Sequence, residues 1–387
     1  MPWYEDEKTK TYYFKVNYKE DGKYKQVLRR GFKTKKEVKA AMAEAEDQIN
    51  KKKFIQKSNK SFGDFLTSYL NDKKMNVKSS TWKMYASLVN NHVIPSLGMK
   101  NIQSITPRNL QDFYNELHEK GSLSDENIQK CHTLINDAMK QAKAWKEIGD
   151  NPAELVKRPV ARKKEMQVWT LEESHRFLDA AKDDRYYIVS LLALTTGMRQ
   201  GEILGLRWKD VDFENKIISI TQILSHDGKE LQAGAKTVSG SRPIRIDNHT
   251  LEILEKHRRK MKEEKMIRRD VYQDLDLVVA TSLGNPVSLR NINRSFSRIV
   301  ENLNTHVQKS NGLRGAARQQ DPLKKIRFHD LRHSHVTFLI KNRETPQAIA
   351  ERLGWSDTRM IDNYAHITPD IQEDTADSFG KSFYKGG

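Results

Sequence analysis

Four stretches in the second half of the chain carry side chains suited to a phosphodiester. Arg199 stands in TTGMRQGEILGLRW (195–208), after a glycine and three residues before Glu202. On a helix that spacing sets the carboxylate beside the guanidinium, where it can orient the fork. Lys236 lies in AKTVSGSR (235–242), on an expected hairpin. His329 and Arg332 share one helical face in HDLRHSH (329–335). Trp355 and Tyr364 close the set in LGWSDTRMIDNYAH (353–366). Each has a plainer reading alone. Arg199 with Glu202 makes an ordinary ion pair, Trp355 suits a core, and Tyr364 is one of 13 tyrosines, with Tyr384 also near the end. His329 and His333 have zinc-ligand spacing, but the HExxH glutamate and a third ligand are missing. The chain shows no P-loop glycine pattern and no carboxylate cluster for paired metal ions, so neither nucleotide nor metal is expected.

The elements that must position these residues fall into three parts. The chain has 387 residues with Lys+Arg 68, Asp+Glu 51 and net charge +17. Basic side chains outnumber acidic ones 15 to 9 in residues 1–56, 15 to 11 in 57–160 and 38 to 31 in 161–387. A polyanionic partner touching every part fits that spread. The single cysteine, Cys131, excludes a disulfide framework and a Cys-rich zinc module. No apolar run approaches the ~18 residues of a membrane span, and the N-terminus lacks a signal core. A soluble, intracellular protein is expected.

Residues 1–56 read as strands 11–18 and 23–30 around Asp21-Gly22, then a helix with Thr34 and Glu37 placed for a capping box. Lys15, Lys25, Arg29 and Arg30 on these strands could enter a DNA groove. After a linker at 55–61, residues 62–150 read as four helices, the second ending before Pro95 and the third opening on Thr106-Pro107. Cys131 belongs to an apolar stripe and is expected in a core. Residues 151–169 read as a second linker. The last part opens with a capping box at Thr170 and Glu173. Next come a hairpin (216–223 and 230–237), a third strand at 238–247, a helix near 249–266, a strand at 277–280 and a helix from Ser288. Residues 305–327 read as irregular, and short helices broken at Pro346 and Gly354 end the series.

The order Arg-x-x-Glu, hairpin Lys, His-x-x-Arg, His-or-Trp, Tyr resembles the tyrosine recombinase (phage-type integrase) family. The nine-residue step from Trp355 to Tyr364 matches too, and Trp355 stands where many relatives have His. The bundle is similar to the family's core-site-binding domain, and residues 1–56 to the arm-binding domain of integrases from temperate phages and conjugative transposons. The implied fold is multidomain and mainly α with small β elements. It has an N-terminal sheet-plus-helix module (1–56), a helical core-binding bundle (57–160) and an α+β catalytic domain (161–387).

By the same resemblance, Tyr364 is the nucleophile and leaves a 3′-phosphotyrosine. Arg199, Arg332 and the Trp355 N–H stabilise the non-bridging oxygens, with Glu202 in support. Neighbouring cations favour the Tyr364 phenolate as it forms. His329 accepts or returns a proton, and Lys236 protonates the leaving 5′-oxygen. The implied partners are double-stranded DNA at core and arm attachment sites, a homotetramer on that DNA, and an excisionase or DNA-bending host factor. The location is the bacterial cytoplasm, and no cofactor is called for. The tail from Ile367 could dock on a neighbouring protomer. Rival readings are a type IB topoisomerase, a non-catalytic DNA-binding protein on the same scaffold, and an RNA-binding protein.

Overall fold

Three antiparallel strands open the chain: β1 (Trp3–Asp6), β2 (Thr11–Glu20) and β3 (Lys23–Phe32), in that spatial order. The structure is a computed structural model describing residues 3–20, 23–50, 58–161, 166–233, 242–311, 321–367, 379–380 and 383–384. The expected Asp21-Gly22 turn lies outside them, but the strands on either side pair in register, Glu20 with Lys23. β1 is an addition to the two expected strands; WYED is too short to show alternation and is held by pairing with Thr11–Phe14. Phe14, Val16 and Val27 point to one face, where Val38 and Ala45 of α1 (Lys35–Asn50) cover them. Thr34 Oγ1 accepts the Glu37 N–H at 3.2 Å, as expected of a cap, while the Glu37 carboxylate reaches back to the Lys33 N–H at 3.0 Å.

The same unit, which ends at Lys164, contains the helices α2 (Phe62–Lys73) and α3 (Ser79–Leu88). It continues with α4 (Ile94–Leu97), α5 (Pro107–Glu119) and α6 (Asp125–Ala144). The second expected helix does not end before Pro95. A wide turn at Val89–Val93, in which the Ile94 N–H reaches the Val89 carbonyl, carries it on to Leu97. The widened turn removes the need for a donor at Pro95, which is how a helix passes a proline. Thr106 caps α5 through the Asn109 N–H, with Pro107 at the first position. Cys131 is fully buried, and burial pushes its thiol up to about 12. The expected 151–169 linker is occupied at its first end: Ala153 and Val156 belong to the bundle core.

The second unit begins at Glu165, and the other end of that expected linker lies in its core. Trp169 is 1 % exposed, and its indole N–H donates to the Lys324 carbonyl. Thr170 and Glu173 form the predicted capping box on α7 (Leu171–Ala181). The apolar α8 (Tyr187–Thr196) is buried nearly all round, as a helix with no polar face must be. It leads to α9 (Gln200–Gly205).

The expected 216–223 strand is split. β4 (Val211–Asp212), β5 (Ile217–Ser219) and β8 (Pro243–Arg245) form one sheet, while β6 (Gln222–Leu224) and β7 (Leu231–Ala233) form a separate ribbon. Of the expected third strand, residues 238–241 lie outside the described residues, and Pro243–Arg245 form β8. α10 (Asn248–Ile267) follows. Leu277–Ala280 is buried but makes only isolated bridges, its Val278 N–H going to the Leu206 carbonyl. A buried apolar run cannot by itself distinguish ladder from bridge. α11 (Leu289–Asn311) extends into the stretch expected to be irregular. The chain then forms α12 (Asp330–Lys341), α13 (Pro346–Leu353) and tight turns over Thr358–Ile367. Among the described residues, no helix is long and apolar enough to cross a membrane.

Candidate active site

Gly197 ends α8 in the left-handed conformation (φ +66°), and a Cβ there would meet His335 and Leu353 at 2.6 Å. That turn sends the chain into Arg199, the residue preceding α9. Glu202, on the first turn of α9, accepts four hydrogen bonds. Two come from Arg199, its backbone N–H and its Nη1, both at 2.8 Å. Two come from the Arg242 guanidinium at 3.2 and 3.0 Å. Burial alone would raise the Glu202 carboxyl; Arg242 and Arg199 outweigh it and hold the group below the usual carboxylate range. Arg199 keeps a side chain 44 % exposed, against 7 % for Glu202. A buried carboxylate thus anchors one edge of a guanidinium that stays partly exposed.

Arg332 is fixed differently. On α12 it is buried, one nitrogen donating to the Gly197 carbonyl and another to the Leu353 carbonyl at 2.8 Å. Burial, then the like charge of Arg199, lowers its pKa, yet a delocalised guanidinium remains a cation at neutral pH. Its central carbon lies 6.0 Å from the Trp355 ring centroid. Trp355 is placed by Gly354 (φ +63°), which ends α13 and lets the Trp355 N–H reach the Ala350 carbonyl at 2.9 Å.

Tyr364 is 3 % exposed and packs with Val336, Ile349 and Leu353. Its ring lies 6.1 Å from that of Trp355. Its hydroxyl is 2.5 Å from Nδ1 of His333. The expectation that cations favour its phenolate holds only in part. Burial raises the hydroxyl to about 12, and the Arg332 charge offsets a share of that. His329 is exposed and meets His333 edge to face at 5.3 Å. The protein around His329, with Arg332 next, lowers its pKa.

Residues 167–370 match the Phage integrase family, residues 61–118 its N-terminal SAM-like domain and residues 2–49 the Arm DNA-binding domain. The chain belongs to the phage integrase family. It is a tyrosine-type site-specific recombinase. A tyrosine recombinase XerC-like protein of Caldanaerobacter subterraneus subsp. tengcongensis is 26 % identical, over 94 % of each chain. The ICEBs1 integrase of Bacillus subtilis is 27 % identical over 89 % of each. The Tn1549 transposon integrase, solved with transposon right end DNA, superposes with a TM-score of 0.67 at 21 % identity, covering 82 % of this chain and 99 % of that one. A lambda integrase tetramer bound to a Holliday junction gives 0.54 at 16 % identity, over 92 % of each.

Of the sequence-predicted set, this recombinase brings Arg199, Glu202, Arg332, Trp355 and Tyr364 into one linked arrangement, with His329 beside it. Lys236 lies outside the described residues, on the stretch between β7 and β8. Among the described residues, no group of three His, Cys, Asp or Glu side chains is placed to hold a metal ion.

Sequence reasoning missed three supports. Arg242 ties the start of β8 to Glu202 and to the Arg352 carbonyl at 2.8 Å. Arg352 donates to the Thr195 and Arg245 carbonyls, both at 3.0 Å, and to His335 Nε2 at 3.2 Å. His335 then gives its Nδ1–H to the Leu194 carbonyl at 2.8 Å. The third is His333, set aside as one half of an incomplete zinc pattern. SGSRPIR contained no signal for a buried guanidinium, because every partner is distant in sequence.

On the N-terminal sheet the four basic candidates divide. Arg29 pairs with Phe14 and Lys25 with Tyr18, so both lie on the face that α1 covers. Lys15 and Arg30 lie on the opposite, open face. There the Lys15 ammonium sits 6.0 Å and the Arg30 guanidinium 5.4 Å from the Tyr13 ring, and Tyr4 stacks on Tyr13 at 5.2 Å. Strand alternation alone separates 29 from 30. Tyr4 entered with β1, which the sequence reading lacked.

Proposed function

We propose that this recombinase cuts and rejoins the DNA of a mobile element by in-line attack of Tyr364 on a phosphodiester. The products are a 3′-phosphotyrosine and a free 5′-hydroxyl. A 5′-hydroxyl from another strand reverses the step, and two such exchanges pass through a Holliday junction. The supporting observation is the pair of restrained guanidiniums, Arg199 on Glu202 and Arg332 on two carbonyls, beside one tyrosine. Charge grows on the non-bridging oxygens in the transition state. Donors already fixed in a partly dry site stabilise it without reorganising. Trp355 adds an N–H. Lys236 protonates the 5′-oxygen, a poor leaving group as an alkoxide, and His329 assists proton movement.

In this reading residues 1–56 bind arm sites, 57–160 and 161–387 clamp the crossover core, and four protomers assemble on two duplexes. The aromatic tail (Phe379 and Phe383, stacked and exposed) docks on a neighbour. A helper protein turns integration into excision, and the reaction runs in the cytoplasm of a bacterial host. A type IB topoisomerase would use similar chemistry, but the sheet module on a separate DNA site favours a recombinase.

The test is a nicked duplex that traps the cleaved strand. The full chain should become covalently joined to it without ATP or metal, and Tyr364→Phe should bind the DNA equally well and form no adduct. Adduct formation by the Phe variant would move the nucleophile elsewhere, to Tyr384 first.

A further inference from the structure

Forming the phosphorus–oxygen bond releases the Tyr364 proton, and among the described residues the side chain hydrogen-bonded to that hydroxyl is His333, at 2.5 Å. The two rings are 5.6 Å apart and tilted by 48°, a geometry set by side chains from two different elements. His329, Arg332 and His333 stand at helical spacings of three and four, on one side of α12. The guanidinium for the phosphate and an imidazole on the nucleophile therefore come from adjacent residues of one rigid helix.

We propose that His333 is the proton acceptor of the cleavage step. This rests on the reading of Tyr364 as nucleophile. With Nε2 carrying the ring proton, the Nδ1 lone pair takes the phenolic proton as the tyrosyl oxygen bonds to phosphorus. The electron pair of the breaking P–O bond leaves with the 5′-oxygen, which Lys236 protonates. In rejoining, the incoming 5′-hydroxyl returns its proton to that lysine, and the His333 imidazolium returns the other to the tyrosyl oxygen. No outside reagent is consumed.

The charged and titratable groups around His333 are Asp330 and Arg332 on its own helix, His329 at the N-cap and Arg327 just before it, and Tyr364 from the last turns. Burial first, then His329, pushes His333 down to about 4, so its lone pair is open throughout the neutral range. So weak a base does not ionise a phenol near 12 beforehand; the proton moves while the phosphorus bond forms. Asp330 favours the transient imidazolium, and Arg332 and Arg327 oppose it.

The test is single-turnover cleavage by the full chain from pH 5 to 9, on a nicked duplex carrying the junction of the element that encodes it. Gel-shift affinity is measured in parallel. His333→Ala should bind the DNA normally and cleave roughly 10²-fold more slowly at pH 7. Its rate should climb with pH as hydroxide replaces the lost base, while the wild type stays nearly flat. Imidazole in the buffer should restore part of the loss. His333→Asn, which keeps a polar group without useful basicity, should be as slow.

Wild-type rates in either variant overturn the proposal. So does a loss that is the same at every pH and untouched by imidazole, which would make His333 a packing residue. The underlying reading fails separately, when the wild type forms no adduct or Tyr364→Phe still does.

Discussion

The molecule holds cationic side chains in two contrasting ways. In the second unit each guanidinium of the site is fixed. Arg332 spends its donors on the Gly197 and Leu353 carbonyls, and Arg199 and Arg242 share the buried Glu202. On the N-terminal sheet, Lys15 and Arg30 lie over an exposed face, resting on the Tyr13 ring. A charge that must meet a transition state gains from being immobilised before the reaction, at a cost in desolvation. A charge that only replaces counterions on a phosphate backbone gains from number and needs no fixed position. We propose that the same residue types carry different duties, and that restraint by carboxylate and carbonyl partners distinguishes them.

The contrast breaks most sharply at Glu202. Glu202→Ala leaves Arg242 buried without its carboxylate, which should cost about 3–5 kcal/mol of stability. The freed Arg199 should lower cleavage by roughly 10²-fold, as a misplaced catalytic group does. Urea unfolding and single-turnover cleavage would check the two losses. Unchanged stability would mean that Arg242 has found another partner.

A smaller effect follows from His335, whose ring burial pushes down to about 3 in the folded protein. The unfolded chain protonates this ring near 6.5. Between those values the unfolded state binds more protons, so stability is full above about pH 6.5 and falls as the pH drops toward 3. Denaturant titrations at pH 7.5 and 5 should show that decline in the second unit, and His335→Gln should flatten it. The opposite slope would show that another group governs it.

Local chemistry accounts for what was legible in advance. The caps at Thr106 and Thr170 and the helix break at Gly354 are decided within a few residues, and the structure has them where the sequence puts them. The order of the candidate site residues in the chain could be read because each sits in its own short motif. Features decided by distant partners were not legible. Arg242, Arg352 and His335 are held by carbonyls and carboxylates 40 to 157 positions away. Leu277–Ala280 has the composition of a strand and joins no ladder among the described residues. Lys25 and Arg29 were counted with Lys15 and Arg30 by charge, although strand alternation places them on the other face.

The difference between a fixed cation and an open one is tested most directly by two variants measured side by side. At saturating core DNA, Arg199→Ala should lower the single-turnover cleavage rate by roughly 10²–10³-fold with little change in affinity. Arg30→Ala should leave that rate intact and weaken arm-site binding, reducing its salt dependence by about one counterion. If Arg199→Ala instead weakens binding at a wild-type rate, or Arg30→Ala slows cleavage at saturation, the division of labour between the two regions is wrong.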